Sequence, residues 1–227
     1  MTIIKPLKAM DGVYRIEDVP GAHFATKNLI PGISVYGERL FTEDNVEYRE
    51  WMHIKSKLAS SMRRGIRVPE LKSGTNVLYL GASSGTTVSH VSDIVGESGL
   101  VFAVEFAPRM ARDLMRLAEK RENIIPIVAD ARNPSNYSHI VHGVDFLFCD
   151  VAQPNQSELF VKNAEAFLKS DGVGLIGIKT RSISQREHPK EIFRKQVKYL
   201  ERGGFNTLRT EDIHKFHKHH MVYFGKW

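Results

Sequence analysis

The spacing of apolar positions changes character along the chain. From residue 76 onward, short apolar blocks alternate with longer stretches in which apolar residues recur every three or four positions. The blocks 76–80, 100–105, 124–128, 144–149 and 173–179 read as strands, and 87–95, 108–121, 155–169 and 189–202 as helices. Blocks this continuously apolar suit strands buried on both faces, and their alternation with helices predicts a parallel, doubly wound sheet. The last two blocks, 206–211 and 221–225, have no helix between them and predict an antiparallel pair. Upstream the pattern differs. Runs 13–16, 23–26 and 34–41 are short and β-like, punctuated by Gly12, Pro20-Gly21 and Pro31-Gly32. They predict a small, mostly antiparallel β-rich subdomain over 1–54 preceding an α/β domain over 55–227. Residues 47–51 read as the approach to a helix running from Ser56 to Gly65. Lys57 lies in its first turn, where the helix dipole disfavours a cation.

Ligands of open α/β sheets sit beyond the carboxyl ends of the strands. In this chain the residues at those ends are polar or small. The first strand runs into Gly81-Ala82-Ser83-Ser84-Gly85-Thr86-Thr87, and the second into Glu105 and Phe106. Asp130 and Ala131 follow the third strand, and Asp150, Val151, Ala152 and Gln153 the fourth. Lys179, Thr180 and Arg181 close the fifth, and His214, His217, His219 and His220 stand before the last. These ends are expected to converge on one crevice. The small residues after the first strand let a ligand lie against the backbone, with the free N–H groups of a helix start facing it.

Totals change the picture little. The chain has 227 residues, 42% hydrophobic and 26% charged, enough for one large α/β domain with an appendage. Its apolar runs fall short of the roughly 20 residues of a membrane span, and its first residues lack the apolar core of a signal peptide. A single cysteine, Cys149, forms no internal disulfide, which fits a reducing cytoplasm. The net charge of +6 favours a polyanionic partner only weakly, since solvated basic surfaces are common.

Glu105 follows Gly85 by 20 residues, the place of a carboxylate that accepts from both hydroxyls of a ribose. Phe106 offers a face to an adenine ring, and Asp130 an acceptor for its amine. Structural readings stand beside these: an ion pair for Glu105, core packing for Phe106. The glycine spacing lacks the third glycine of a dinucleotide loop and the lysine of a P-loop. Carboxylates at positions 130 and 150 would repel phosphates but suit a sulfonium and an α-amino group, so S-adenosylmethionine fits better than NAD.

The runs 80–91, 150–156 and 178–183, with 47–51 and 56–59, closely resemble fibrillarin, and the resemblance extends from about residue 10 to the C-terminus. The Asp150-Val-Ala-Gln-Pro-Asn-Gln156 run is specific to that family. Without a glycine- and arginine-rich N-terminal extension, the chain looks like the archaeal form. The resemblance implies a Rossmann-like methyltransferase sheet with an antiparallel last strand. It further implies guide-RNA-directed 2′-O-methylation of ribose in ribosomal and transfer RNA, with S-adenosylmethionine as cofactor. The implied partners are box C/D guide RNA and target RNA, a Nop-family scaffold protein and a kink-turn-binding ribosomal-type protein. The implied cofactor contacts are Gly81, Ala82, Thr86, Thr87, Glu105, Phe106, Asp130, Ala131 and 150–153.

The catalytic set carried over is Lys57, Asp150, Lys179 and His220. The residues alone favour Asp150 and Lys179, which close adjacent predicted strands and so are placed to pair over the reaction centre. At His220 the chain departs from the family's Asp-His, having His219-His220. On a strand these two histidines would face opposite sides. A metal site is not expected from the histidine cluster, nor a catalytic thiol from Cys149. Arg181 and Arg186 are the expected RNA contacts in a basic stretch that continues into the following helix. Two other readings remain: a stand-alone methyltransferase acting on a protein glutamine or another acceptor, and an inactive particle component that keeps the fold for docking.

Overall fold

The computed structural model describes residues 3–227, so the first two residues of the predicted 1–54 unit lie outside the described residues. Five short strands, β1 (Ile3–Pro6), β2 (Val13–Glu17), β3 (Phe24–Lys27), β4 (Leu40–Glu43) and β5 (Val46–Glu50), form an antiparallel sheet in the order β1-β2-β3-β5-β4. The predicted run 34–41 is strand only at its end. The carboxylate of Glu38 accepts from the N–H groups of Val35 and Tyr36, which turns the backbone away from any ladder. Residues 47–51 lead, as a strand and through a 3-10 turn at His53–Lys55, to the expected helix. They belong mainly to β5, which pairs with β4 across a two-residue turn at Asp44 and Asn45, both at positive φ.

A short helix, α1 (Lys57–Arg63), is capped by Ser56, whose hydroxyl accepts from the Ala59 N–H. Then come β6 (Asn76–Leu80), α2 (Thr86–Val95), β7 (Leu100–Glu105), α3 (Pro108–Ala118), β8 (Ile124–Val128), β9 (Val144–Cys149), α4 (Gln156–Phe167), β10 (Leu168–Lys179), α5 (Thr180–Ile183), α6 (Pro189–Arg202), β11 (Asn206–Asp212) and β12 (His220–Lys226). The second sheet has seven strands in the order β11-β12-β10-β9-β6-β7-β8. Its central pairings are parallel, and β12 runs antiparallel to both β10 and β11. The expected sheet is therefore present. The fifth strand starts earlier than predicted, at Leu168, because the helix before it stops at Phe167.

Strand residues alternate between two apolar layers. Val77, Tyr79, Phe146 and Phe148 pack on one face with α1 and α2, while Leu78, Leu80, Leu147 and Cys149 pack on the other with α4 and α6. The two sheets are joined by a buried polar network. Arg49 of β5 pairs with Glu38 at 2.7 Å and with Asp93 of α2 at 2.9 Å, and Arg121 joins Asp93 at 2.6 Å. Trp51 stacks on His90 of α2 at 4.9 Å. The small sheet thus grips α2, whose first turn borders the crevice at the strand ends.

Candidate active site

Gly81 ends β6 at φ +81°, a conformation that favours glycine. A Cβ at this position would come within 2.8 Å of the Asp150 carbonyl oxygen, so only glycine lets the two strand ends meet. Gly85 is equally confined, since a Cβ there would strike Leu117. Between them, the Ser83 N–H donates to Glu105 at 2.6 Å. The Ala107 N–H donates to the other Glu105 oxygen at 2.7 Å. Two backbone donors thereby fix the carboxylate and leave lone pairs for a ligand. Phe106 is 63% exposed, an uncovered aromatic face beside that carboxylate.

Glu105 and Phe106 line a cleft of about 290 Å³ with Gly81, Ala131 and residues 150–153. No lysine or arginine lines it. The cleft suits a ligand that brings hydroxyls, a planar ring and positive charge, and these residues fit S-adenosylmethionine better than a pyrophosphate.

Not every expected contact faces this cleft. The Asp130 carboxylate is taken by Arg132, at 2.8 Å from Nε and 2.5 Å from Nη2, and this pairing holds it below the usual carboxylate range. Ala129 and Ala131 line the wall there instead. Ala82 is buried. Thr87 is also buried, and its hydroxyl donates to the Ser56 cap of α1 at 3.0 Å. Thr86 borders a separate groove with Tyr36 and Ser84.

Beside the cleft stand Lys57, Asp150, Lys179 and His220. Lys57 Nζ lies 2.8 Å from Asp150 Oδ1. Asp150 therefore pairs with Lys57 of α1, not with Lys179 of the adjacent strand end as expected from the strand order. Lys179 acts on it at longer range, among the cations that lower its pKa. Burial outweighs them, and the Asp150 carboxyl sits above its ordinary pKa, with Lys57 the largest opposing influence. Lys179 and His220 are cross-strand partners in the β10–β12 ladder. The His220 Nδ1 lies 2.8 Å from the Lys218 carbonyl, which can only accept, so Nδ1 carries the proton and Nε2 keeps its lone pair. Burial, reinforced by the nearby Lys57, pushes His220 down to about 4, so it is neutral at pH 7.

Three further residues support this set, none of them assigned a role from the sequence. Gly177 leaves space for Lys57, since a Cβ there would come 3.1 Å from Lys57 Cδ. Buried Gln156 clamps the Lys179 backbone, accepting from its N–H at 2.9 Å and donating to its carbonyl at 3.2 Å. His217 Nε2 lies 3.0 Å from Ser60 Oγ and 3.2 Å from the His53 carbonyl, and its ring meets His220 edge-on at 6.0 Å. Gln156 belonged to a recognisable run and His217 to the histidine cluster before the last strand; Gly177 gave no local signal.

His219 precedes β12, at φ +62°, so it does not alternate with His220 across a strand. Its carbonyl accepts from the Thr180 N–H and hydroxyl, which ties β12 to α5. Among the described residues no group of three or more His, Cys, Asp or Glu side chains is arranged to hold a metal ion. The Cys149 thiol is buried and pushed up to about 12. Arg181 stands on α5 directly after Lys179, with its guanidinium on the Gln185 carbonyl, and Arg186 is exposed on the loop beyond.

The chain matches the fibrillarin family over residues 4–227. It is 48% identical to a fibrillarin-like rRNA/tRNA 2′-O-methyltransferase of Methanococcus maripaludis, covering 100% of this chain and 99% of that protein. A solved structure of Aeropyrum pernix fibrillarin in complex with natively bound S-adenosyl-L-methionine is 42% identical, with TM-score 0.91 over 99% of both chains. The fibrillarin of a fibrillarin/Nop5p complex is 38% identical, with TM-score 0.84 over 95% of this chain and 97% of that one.

Proposed function

The chain belongs to the fibrillarin family, and from that membership we propose that it is the catalytic subunit of a box C/D guide-RNA particle. It methylates ribose 2′-hydroxyls of ribosomal and transfer RNA with S-adenosylmethionine. A Nop-family protein is its scaffold. A kink-turn-binding ribosomal-type protein and the guide RNA complete the particle, which works in the cytoplasm. No helix among the described residues is long and apolar enough to cross a membrane. The observation that carries the reading is the Lys57–Asp150 pair, set with Lys179 and His220 beside a cation-free cleft.

S-adenosylmethionine supplies a methyl group on a sulfonium, already primed to leave. Glu105 takes the ribose hydroxyls of that cofactor, Phe106 covers its adenine, and Asp150 to Gln153 form the wall beside its charged end. The chain's own chemical work is then position and proton acceptance. Lys179, held by Gln156, aims the target hydroxyl. Lys57 opposes the effect of burial on Asp150. Asp150 oxygens and the unprotonated Nε2 of His220 are the lone pairs that receive the departing proton. Arg181 and Arg186 steady RNA phosphates near the reacting ribose.

The test is transfer of a labelled methyl group to a matched target RNA, with the protein alone and with guide RNA and both partner proteins. The expected result is transfer only in the full mixture, abolished by a 2′-deoxy at the guided nucleotide. Transfer by the protein alone, or indifferent to that hydroxyl, would establish a stand-alone enzyme with another acceptor.

A further inference from the structure

The catalytic cleft accounts for one end of α1. The other end, Arg63, opens onto two adjoining depressions of about 230 and 510 Å³ that share Arg15, Gly65 and Arg67. At 1.5 Å per residue the helix separates Lys57 from Arg63 by roughly 10 Å. Contacting side chains fill the interval: His217 on the His53 carbonyl, then the His53 ring against His23 at 5.0 Å. The Arg63 guanidinium is close enough to His23 to reinforce the lowering of its pKa by burial.

The groove gathers three guanidinium groups in one place. Among the described residues, Arg15, Arg63 and Arg67 have no carboxylate in ion-pair contact. Arg67 is held by carbonyls only, donating to Met62 at 2.9 Å and Ile66 at 2.8 Å. Burial and its neighbours Arg15 and Arg209 all lower its pKa, and no acid opposes them. Carboxylates nearby are already committed, Glu17 to Lys5 and Glu211 to Arg209 and Arg64. Guanidinium groups gathered in one groove repel one another, and the carboxylate that lines it, Glu17, is already paired with Lys5. An apolar protein surface is not what the groove offers. The exposed large apolar side chains, among them Ile54, Phe106, Met115 and Tyr199, lie outside its lining.

We propose that the groove of Arg15, Arg63 and Arg67 binds the sugar–phosphate backbone of the guide–target RNA duplex, a few nucleotides from the ribose held at Lys57 and Asp150. This rests on the RNA reading of the active site and extends it. Guanidinium groups suit phosphate oxygens, and contacts of this kind fix register without reading sequence. The duplex would then be gripped on both sides of the cleft, by α1's far end and by the α5 loop.

The full chain carrying Arg15→Gln and Arg63→Gln together tests this, with Arg112→Gln and Arg116→Gln together on α3 as the charge-matched control. A fluorescent guide–target duplex is titrated with each protein across a range of salt. Two lost phosphate contacts should weaken binding about tenfold and flatten the log–log salt dependence by about 1.5. S-adenosylmethionine affinity stays at the wild-type value, which reports that the fold is intact. In the assembled particle the Arg15/Arg63 variant should raise KM for target RNA with kcat nearly unchanged. Equal duplex affinity and equal salt slope for the Arg15/Arg63 variant and the Arg112/Arg116 control would overturn the proposal. So would loss of scaffold-protein co-purification in the absence of RNA, which would make the groove a protein surface. Duplex binding is read independently of methyl transfer, so a wild-type protein that binds duplex but transfers no methyl would sink the enzymatic reading and leave the groove standing.

Discussion

Lys57 and Asp150, 93 positions apart, meet at 2.8 Å where α1 crosses the end of β9. Burial raises the pKa of this carboxyl, and the Lys57 ammonium is the largest influence against it. Removing either charge leaves the other partly desolvated. Asp150→Asn is expected to lower kcat for methyl transfer by roughly 10²–10⁴-fold, the range of a lost proton acceptor. Single-turnover transfer in the assembled particle measures it; a kcat within threefold of wild type would remove Asp150 from the mechanism.

Lys179, proposed to aim the target hydroxyl, does not line the cleft of Glu105 and Phe106. Lys179→Ala should therefore keep S-adenosylmethionine affinity, measured by calorimetry, and lose turnover. Turnover near the wild-type rate would show that the target hydroxyl is aimed by another group.

Gly81 sits at positive φ against the Asp150 carbonyl. Gly81→Ala must both strain the backbone and push the strand ends apart, at a cost of about 1–3 kcal/mol. A thermal scan should show a fall of roughly 3–10 °C, together with weakened S-adenosylmethionine binding. Unchanged binding would mean that the loop tolerates the displacement.

Arg49 is fully buried between Glu38 and Asp93. Arg49→Met leaves Glu38 buried without a counter-charge, an expected loss of about 3–5 kcal/mol. Urea unfolding measures this directly. A loss below 1 kcal/mol would show that Arg121 and backbone donors suffice to hold the network.

Burial lowers the pKa values of His23, His53, His90, His217 and His220, with His53 and His220 brought to about 4. The unfolded chain binds protons at these groups from about pH 6.5 downward, and the folded chain does not. Stability is therefore complete above about 6.5 and is lost as pH falls through that value toward 4. Urea midpoints at pH 7.5, 6 and 5 should decline in that order. A flat series would show these imidazoles to be solvated.

Much of this was legible beforehand because it is local. The strands 76–80, 100–105 and 144–149 are interior strands buried on both faces, which favours continuously apolar residues, and their bounds and those of the edge strand 124–128 agree with the structure. Ser34 to Arg39 misled because a buried carboxylate, not β-propensity, decides its backbone. The hairpin through Asp44 and Asn45 was missed because that turn lacks the usual glycine.

What the sequence by itself determined was the order of elements, the small-residue loop after β6 and the chemistry available at each strand end. These follow from periodicity and turn residues, which act over a few positions. What only the tertiary structure decided was pairing: Asp150 with Lys57 instead of Lys179, and Arg49 with Glu38 and Asp93 across two sheets. Such pairings depend on which side chains the packed elements bring within about 3 Å, and the space that admits Lys57 exists only because Gly177 has no Cβ. Distances of that kind belong to the folded core and leave no periodic trace in the chain.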